Sequence, residues 1–206
     1  MNQHTFEDDG IPLIAFAKIV FCTCPKCKSI LIVKGKFRYL STVETARASC
    51  TRCTFQKTFA DNSWHGPVIG YGRRRCSHCG GEWLRVVLQD KVARNLPGTL
   101  PVVCSLCEHL SDLSLEWFPE KHSDKPIDPY FGFPLHLQTR CGDNILWAYN
   151  PEHILRLKSY VAATQRKGEK GKWSMVARLP AWVKEAGARE KILKCLERLE
   201  RKAIQK

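Results

Sequence analysis

The hydrophobic positions of this chain form short alternating or β-branched runs over residues 1–118 and helical stripes only near its end. These runs predict β-strands at residues 11–21, 29–33, 37–42, 54–59, 83–88, 102–103 and 112–118. Glycine and proline interrupt the pattern twice, which predicts a turn at residues 34–36 and a flexible connection at residues 61–75. This part of the chain is therefore predicted to form two small β units.

The remaining residues combine a predicted hairpin with helices. Residues 135–139 and 145–149 are apolar and flank a glycine-containing loop, which predicts a β-hairpin. Asn150 is a favourable N-cap and Pro151 suits the first helical position, so a helix is predicted from there to about residue 167. Further helical segments are predicted at residues 173–179, 181–186 and 189–203.

The predicted fold class is small α+β, with two tandem β units followed by a β-hairpin and C-terminal helices. The predicted boundaries are 1–60 for the first β unit with its N-terminal strand, 61–118 for the second β unit, 119–134 for a proline-rich linker, and 135–206 for the hairpin with a basic helical unit. A length of 206 residues fits one or two compact units better than one large core.

Four Cys-x-x-Cys pairs carry the clearest chemistry in the sequence. The pairs are separated by 22 residues in the first β unit and by 24 in the second, so a hairpin can bring two such turns to one ion. Four thiolates suit a structural Zn²⁺ and leave no position for water or substrate. The pattern predicts two Zn²⁺ ions, the first held by Cys24, Cys27, Cys50 and Cys53 and the second by Cys76, Cys79, Cys104 and Cys107.

The sequence leaves other assignments open. The first and third pairs could share an ion in a cross-braced arrangement, and Cys22 would share a strand face with Cys24 near the first ion. His78 or His109 could replace a cysteine of the second site. Disulfides are disfavoured because residues 1–22 lack the pattern of a secretory signal, which predicts a cytoplasmic location where thiols stay reduced.

The formal net charge of +13 is concentrated in two parts of the chain. Residues 18–60 carry nine basic side chains and one acidic, and residues 151–206 carry fifteen and six, whereas residues 61–118 carry six of each. Such a field attracts polyanions, and basic side chains neutralise the phosphates of nucleic acids. The candidate nucleic-acid contacts are Lys26, Lys28, Lys34, Lys36, Arg38, Arg52, Arg73, Arg74, Arg75, Arg166, Lys167, Lys170 and Lys172, together with Arg47 and Lys57, and with Phe37, Tyr39 and Phe55 for base stacking.

The leading functional prediction is a non-catalytic zinc-binding protein that presents a basic surface to nucleic acid. The sequence has no Gly-x-Ser-x-Gly, phosphate-binding loop or His-Glu-x-x-His motif, so neither an enzymatic activity nor a small-molecule substrate is predicted. No apolar run is long enough to span a bilayer, so no membrane partner is predicted. The alternative is a protein-binding module that neutralises or recruits an acidic partner protein, as an immunity or adaptor protein does.

Two stretches of the chain resemble known proteins. The motifs Cys24-Pro-Lys-Cys27…Cys50-Thr-Arg-Cys53 and Cys76-Ser-His-Cys79…Cys104-Ser-Leu-Cys107 resemble zinc ribbons of transcription and translation factors. This resemblance covers about half of the chain and implies structural metal, although fold and task are loosely linked. Phe133 to Asn150, with Arg178 to Lys184, is similar to the C-terminal part of uncharacterised bacterial zinc-ribbon proteins, which implies a bacterial source and no particular activity.

Overall fold

The computed structural model describes residues 5–39, 42–59, 64–90, 95–120, 126–167 and 173–204. The chain divides into two compact units, which we name unit 1 and unit 2. Unit 1 consists of residues 1–62 together with residues 126–206, and unit 2 consists of residues 63–125. Unit 2 is therefore an insertion within the sequence of unit 1.

The described residues form mostly antiparallel strands with few helices, which confirms the predicted α+β class. The strands are β1 (Thr5–Glu7), β2 (Ile19–Thr23), β3 (Ile30–Tyr39), β4 (Thr42–Cys50), β5 (Gln56–Thr58), β6 (Val68–Arg75), β7 (Trp83–Asp90), β8 (Thr99–Val103), β9 (Leu110–Ser114), β10 (Glu116–Pro119), β11 (Gln138–Cys141), β12 (Asn144–Trp147) and β13 (Gln165–Lys167). The helices are α1 (Pro151–Ala162), α2 (Ala181–Lys184) and α3 (Arg189–Ile204), with 3₁₀ turns at Leu13–Lys18 and Ala186–Ala188.

Unit 1 is organised around a four-stranded antiparallel sheet in the order β2-β3-β4-β5. The outer edge of β2 bonds to the C-terminal part of the chain, since Phe21 donates its N–H to Tyr149 and Thr23 donates to Pro134, both at 2.8 Å. The helices α1 and α3 pack on each other, and α3 also packs on β11 and β12. One core thus joins residues that the sequence analysis places in separate segments. Its fully buried side chains include Leu31, Phe133, Leu135, Ile154 and Leu196.

The apolar run at residues 11–21 is not one strand, as the sequence analysis predicts. Leu13–Lys18 forms 3₁₀ turns, and β2 begins only at Ile19. The amide group of Asn150 holds this change of direction by donating to the carbonyl oxygens of Phe16 at 2.7 Å and Ile19 at 2.8 Å. A distant side chain therefore decides where the strand begins.

The predicted turn at residues 34–36 is also wrong, because β3 continues through Gly35 to Tyr39. A Cβ atom at Gly35 would overlap the ring of Tyr130. The same ring stacks on Phe37, with centroids 4.7 Å apart. The glycine is required by a close packing contact within a strand, and not by a turn.

Residues 126–134, predicted to belong to a linker, lie inside the core of unit 1. The buried carboxylate of Asp128 accepts the backbone N–H groups of Tyr130 and Phe131 at 2.9 Å and of Phe133 at 2.5 Å. Burial raises the pKa of Asp128 to about 6, although these N–H groups favour its charged form. The linker prediction fails here because the turn around Asp128 directs aromatic side chains inward.

The C-terminal elements follow the prediction in part. The helix α1 begins as expected, with the side chain of Asn150 accepting the N–H of His153 at 2.9 Å. It ends at Ala162 instead of near residue 167, because β13 follows and pairs in parallel with β1. Residues 173–179 form turns, and not the predicted helix. The predicted hairpin is present as β11 and β12, and the predicted last helix as α3.

Unit 2 contains a three-stranded antiparallel sheet in the order β10-β6-β7 and a hairpin of β8 and β9. The strand β6 occupies most of the segment predicted as a flexible connection. A Cβ on Gly70 would come within 2.9 Å of the Trp117 ring, and one on Gly72 would come within 3.0 Å of Leu115. The glycines therefore let large side chains cover one face of β6, which is why a glycine-rich segment forms a strand.

Candidate metal centres

Two turns of unit 1 bring four sulfur atoms together. The turn between β2 and β3 carries Cys24 and Cys27, while Cys50 ends β4 and Cys53 follows it. The Sγ atoms of Cys24 and Cys53 lie 3.7 Å apart, and those of Cys27 and Cys50 lie 3.5 Å apart. All four sulfurs lie within 4.8 Å of one another, so they form a group that could hold a metal ion.

Unit 2 repeats the arrangement with the turns that follow β6 and β8. The sulfurs of Cys76 and Cys107 lie 3.7 Å apart, as do those of Cys79 and Cys104. These four sulfurs also lie within 4.8 Å of one another. Each unit completes its own group of four, so the cross-braced alternative is not the arrangement that forms.

The geometry of both groups fits a tetrahedral zinc ion. Zn–S bonds of about 2.3 Å place the sulfurs of a tetrahedron roughly 3.8 Å apart, close to the distances of 3.5 and 3.7 Å found here. A disulfide would need a sulfur–sulfur distance of about 2.05 Å. All eleven cysteines, which fall within the described part of the chain, are free thiols.

Three of the four Cys-x-x-Cys turns share one backbone feature. The residue four positions after the first cysteine donates its N–H to the carbonyl oxygen of that cysteine at 2.9–3.1 Å. This residue adopts a left-handed φ, which is 64° at Lys28, 66° at Gly80 and 57° at Glu108. Only glycine adopts such a conformation freely, so Lys28 and Glu108 each carry strain of about 1–2 kcal/mol.

The local environment favours thiolate at some of these sulfurs and thiol at others. Hydrogen bonds from Ser29 lower the pKa of Cys27 to about 6, and the N–H groups of Cys79 and His78 lower the pKa of Cys76 to about 6. Burial raises the pKa of Cys104 to about 12. Four adjacent sulfurs repel one another when charged, so a divalent cation is needed to stabilise all four as thiolates.

Glu82 links the two turns of the second group and was missed by the sequence analysis. Its carboxylate accepts the N–H of Ser105 at 2.6 Å and the hydroxyl of Ser105 at 2.7 Å, and lies 3.3 Å from the sulfur of Cys104. The bonds from Ser105 lower the pKa of Glu82. The signal in the sequence is the glutamate three positions after Cys79, where β7 begins.

The other candidate ligands lie outside the two groups. Cys22 is buried in β2, opposite Leu31, and burial raises the pKa of its thiol. It therefore behaves as a small apolar core residue. His78 and His109 stack on each other with ring centroids 5.0 Å apart, and neither belongs to the metal-binding group of unit 2.

Exposed basic residues of β3 and β4 lie on one face of the sheet of unit 1. Lys34 and Lys36 are exposed and alternate with inward-facing positions of β3, so they share its solvent face, and Arg38 is exposed beyond an irregularity in the pairing of β3 with β4. Arg47 of β4 lies directly opposite Lys34 and is also exposed. Glu44 partly neutralises this row through an ion pair with Lys36 at 2.9 Å. The exposed turn residues near the first metal group are Lys26, Lys28 and Arg52, and Lys57 is half-buried.

Two of the aromatic residues predicted to stack on bases, Phe37 and Phe55, pack against the core of unit 1. Phe37 packs on Tyr130, as described above, and Phe55 packs edge-on against Phe133 with centroids 5.8 Å apart. The side chain of Tyr39 falls outside the described residues. Phe37 and Phe55 are therefore engaged in packing contacts within unit 1.

The predicted contacts of the C-terminal part are divided. Arg166 is half-buried, donates to a backbone carbonyl of α2 at 2.8 Å and lies 4.2 Å from the ring centroid of Tyr160. These contacts give Arg166 a structural role and remove it from the predicted binding surface. Lys167 is exposed in β13, while Lys170 and Lys172 fall outside the described residues.

In unit 2, Arg73, Arg74 and Arg75 are exposed in β6. They do not form one cluster, because residues alternate between the two faces of a strand. Arg74 donates to the carbonyl oxygen of Asp112 at 3.2 Å, whereas Arg73 and Arg75 lie over the ring of Trp83.

The fold and its sites define a small α+β protein with two four-cysteine groups that are compatible with zinc-ribbon sites. No family model, curated protein or solved structure matches this chain. Among the described residues, no helix is long and apolar enough to cross a membrane. The class of site therefore rests on its own geometry and donor chemistry.

Proposed function

We propose that this protein is a non-catalytic nucleic-acid-binding protein in which each four-cysteine group holds one structural Zn²⁺. Four sulfur ligands complete the tetrahedral shell of zinc, so neither site keeps an open position for chemistry. The metal stabilises the turns that connect the strands, and the sheets that result carry the binding surface. Elemental analysis of the pure protein is expected to give two zinc ions per chain.

The observation that carries the nucleic-acid proposal is the row formed by Lys34 and Lys36 with Arg47 opposite. Alternate residues of a strand are about 6.8 Å apart, so Lys34 and Lys36 form a line of positive charge, and Arg38 is exposed further along β3. The part of the chain that carries them has nine basic side chains and one acidic. A phosphate backbone that follows this line exchanges its counterions for protein cations.

The test is a salt titration of the affinity for a fluorescently labelled DNA duplex. The double variant Lys34→Gln and Arg47→Gln removes two phosphate contacts. We expect the slope of log K against log salt to become shallower by about 1.8, because each contact contributes about 0.9. The matched control is Lys194→Gln with Arg201→Gln, two exposed cations on α3 that change the net charge equally.

An equal loss of affinity in both double variants would contradict the proposal, because binding would then depend on net charge alone. Absence of measurable binding to any nucleic acid at low salt would also contradict it.

One observation favours a protein partner as the second candidate function. Val103 and Leu110 lie opposite each other in β8 and β9, and Leu106 lies in the turn between them. All three are largely exposed, with Leu106 at 68%. Exposed apolar side chains grouped in this way are typical of protein contacts. A one-to-one protein complex whose affinity changes little with salt would support this function.

A further inference from the structure

The outer face of the sheet β10-β6-β7 in unit 2 combines arginine and aromatic side chains. Residues directly opposite in antiparallel strands project to the same face. The register of the sheet pairs Arg75 with Trp83 and Arg73 with Arg85, and it places Phe118 next to Ile69 on the same face as Tyr71. We name this surface the arginine–aromatic face, and its members are Tyr71, Arg73, Arg75, Trp83, Arg85 and Phe118.

The aromatic side chains of this face are unusually exposed for a sheet whose other side is packed. The exposed fraction is 46% for Tyr71, 42% for Trp83 and 47% for Phe118. On the opposite side of β6, Trp117 and Leu115 cover the glycines and are themselves half-buried or buried. Large apolar groups left on a surface in this way mark a binding site.

The contacts within the face hold its side chains in place. The guanidinium carbons of Arg73 and Arg75 lie 4.1 and 4.7 Å from the ring centroid of Trp83. Arg75 also donates to the carbonyl oxygen of Gly81 at 2.8 Å. The rings of Tyr71 and Phe118 lie 6.0 Å apart, centroid to centroid. Side chains that are already ordered lose little further freedom when a ligand binds.

The net charge of residues 61–118 does not reveal the charge of this face. Residues 61–118 carry six basic and six acidic side chains. Arg73, Arg75 and Arg85 nevertheless lie on one face, where Glu116 is the acidic residue in register with Tyr71. The carboxylate of Glu82 is engaged by Ser105. The face is therefore positive although the segment is neutral.

We propose that the arginine–aromatic face binds unpaired bases of single-stranded nucleic acid, an inference that rests on the proposed nucleic-acid function. Exposed bases stack on the indole, on the other rings and on the guanidinium planes, while the arginines neutralise phosphates. A duplex offers no free base to these rings, because its bases are paired and stacked on one another. The ligand is thus recognised by its accessible bases as well as by its charge.

The experiment compares three labelled probes of equal length by fluorescence anisotropy: oligothymidylate, an oligomer of abasic nucleotides, and a DNA duplex. Trp83→Ala is expected to weaken binding of oligothymidylate by about 5- to 160-fold, which corresponds to the loss of one base–aromatic stack. The same variant is expected to leave binding of the abasic oligomer unchanged. Trp83→Phe keeps a ring and is expected to restore most of the affinity.

The matched control is Leu155→Ala, which removes an exposed apolar side chain of α1 outside this face. Zinc content shows whether each variant still folds, and the wild-type comparison of thymidylate with the abasic oligomer needs no variant. Equal wild-type affinity for these two probes would overturn the inference. The inference would also be overturned if Trp83→Ala bound oligothymidylate with the affinity of the wild type. If the double variant of Lys34 and Arg47 lost duplex binding in the same series, the proposed function would still stand. If no probe binds, both are overturned.

Discussion

The two four-cysteine groups have almost the same geometry but very different surroundings. In unit 1, the turns rest on a core that joins the sheet, the hairpin and the helices α1 and α3. In unit 2, the core cluster found among the described residues consists of Cys76, Leu84, Cys104 and Leu113, so half of it is candidate metal ligands. The same motif therefore makes very different contributions to the stability of the two units.

A comparison of the free energy of side-chain burial with that of zinc binding indicates which unit depends on its metal for folding. Burial of a leucine such as Leu84 or Leu113 contributes about 1.5–3 kcal/mol. Ordering the backbone costs about 1–2 kcal/mol for each residue. The buried apolar side chains described in unit 2 outside the cysteine group are only Val68, Leu84, Leu113 and Leu115, whereas a structural zinc site contributes about 10–16 kcal/mol in zinc-finger peptides. We expect unit 2 to fold only with metal, and the core of unit 1 to persist without it.

Removal of zinc is expected to have the largest effect of any change. With a strong chelator present, amide hydrogens of β6, β7, β8 and β9 should exchange at the rate of an unfolded chain. Amides of α1 and α3 should stay protected, because the core that surrounds them consists mostly of apolar side chains that bind no metal, with Cys24 as its one buried member of the first cysteine group. Hydrogen exchange followed by mass spectrometry measures both. Loss of protection in the two units at the same chelator concentration would contradict the comparison.

Single substitutions repeat this test one site at a time. Cys27→Ser and Cys79→Ser alter the same position of the first turn in each unit, so they are matched. Each should lower the zinc content by one ion, but only Cys79→Ser should abolish protection across its whole unit. Cys22→Ala is the control, since Cys22 is buried outside the first group and its loss should leave two ions bound.

The cysteine groups could be predicted from the sequence because the motif is local and carries its own chemistry. Two thiols three positions apart at a turn point to metal whatever surrounds them. The strands β3 and β6 could not be predicted correctly, because Gly35 and Gly70 look like turn residues. Their role is decided by Tyr130 and Trp117, which are distant in sequence.

The sequence predicts which segments are rich in candidate binding residues, but it does not predict how these residues are arranged in space. The charge pattern points to a basic segment at residues 18–60, and alternation in β3 explains why Lys34 and Lys36 share a face. The charge pattern does not show that Phe37 and Phe55 pack against the core. It also does not show that arginines of the electrically neutral segment lie next to Trp83. Such information depends on strand register, which the sequence does not define.

A substitution in the core of unit 1 should destabilise this unit without changing the zinc content. Asp128→Asn replaces one acceptor oxygen by an amino group that faces the N–H of Phe133, so a buried donor loses its partner. The free energy of unfolding of unit 1 is expected to fall by about 1–3 kcal/mol at pH 4. Hydrogen exchange of α1 and α3 measures this change, and protection of β6 should not move.

The pH dependence of this variant has a definite sign. The pKa of Asp128 is about 6 in the folded state and about 3.9 in an unfolded chain, so folding takes up a proton between these values. That contribution to stability is present below pH 4 and is lost as the pH rises to 6. The gap between wild type and Asp128→Asn should therefore narrow over this window. Asp143→Asn, an exposed carboxylate of the β11–β12 turn, should change stability by less than about 0.5 kcal/mol at any pH.

The smallest effect concerns the strained turns, where the same substitution should act differently in the two units. Glu108→Gly and Lys28→Gly each relieve a left-handed φ, and the greater freedom of glycine in the unfolded chain offsets part of the gain. In unit 2, the turn orders only with metal, so a net gain of about 0.5–1 kcal/mol should appear as zinc binding that is about 2- to 5-fold tighter. In unit 1, the core holds the turn in either state, so Lys28→Gly should leave the affinity of the first site unchanged. Gly80→Ala is the reciprocal control, because nothing lies within 4 Å of an added Cβ and only strain weakens the second site. Competition with a zinc-binding dye measures each affinity, and equal tightening of both sites would show that folding and metal binding are coupled alike in the two units.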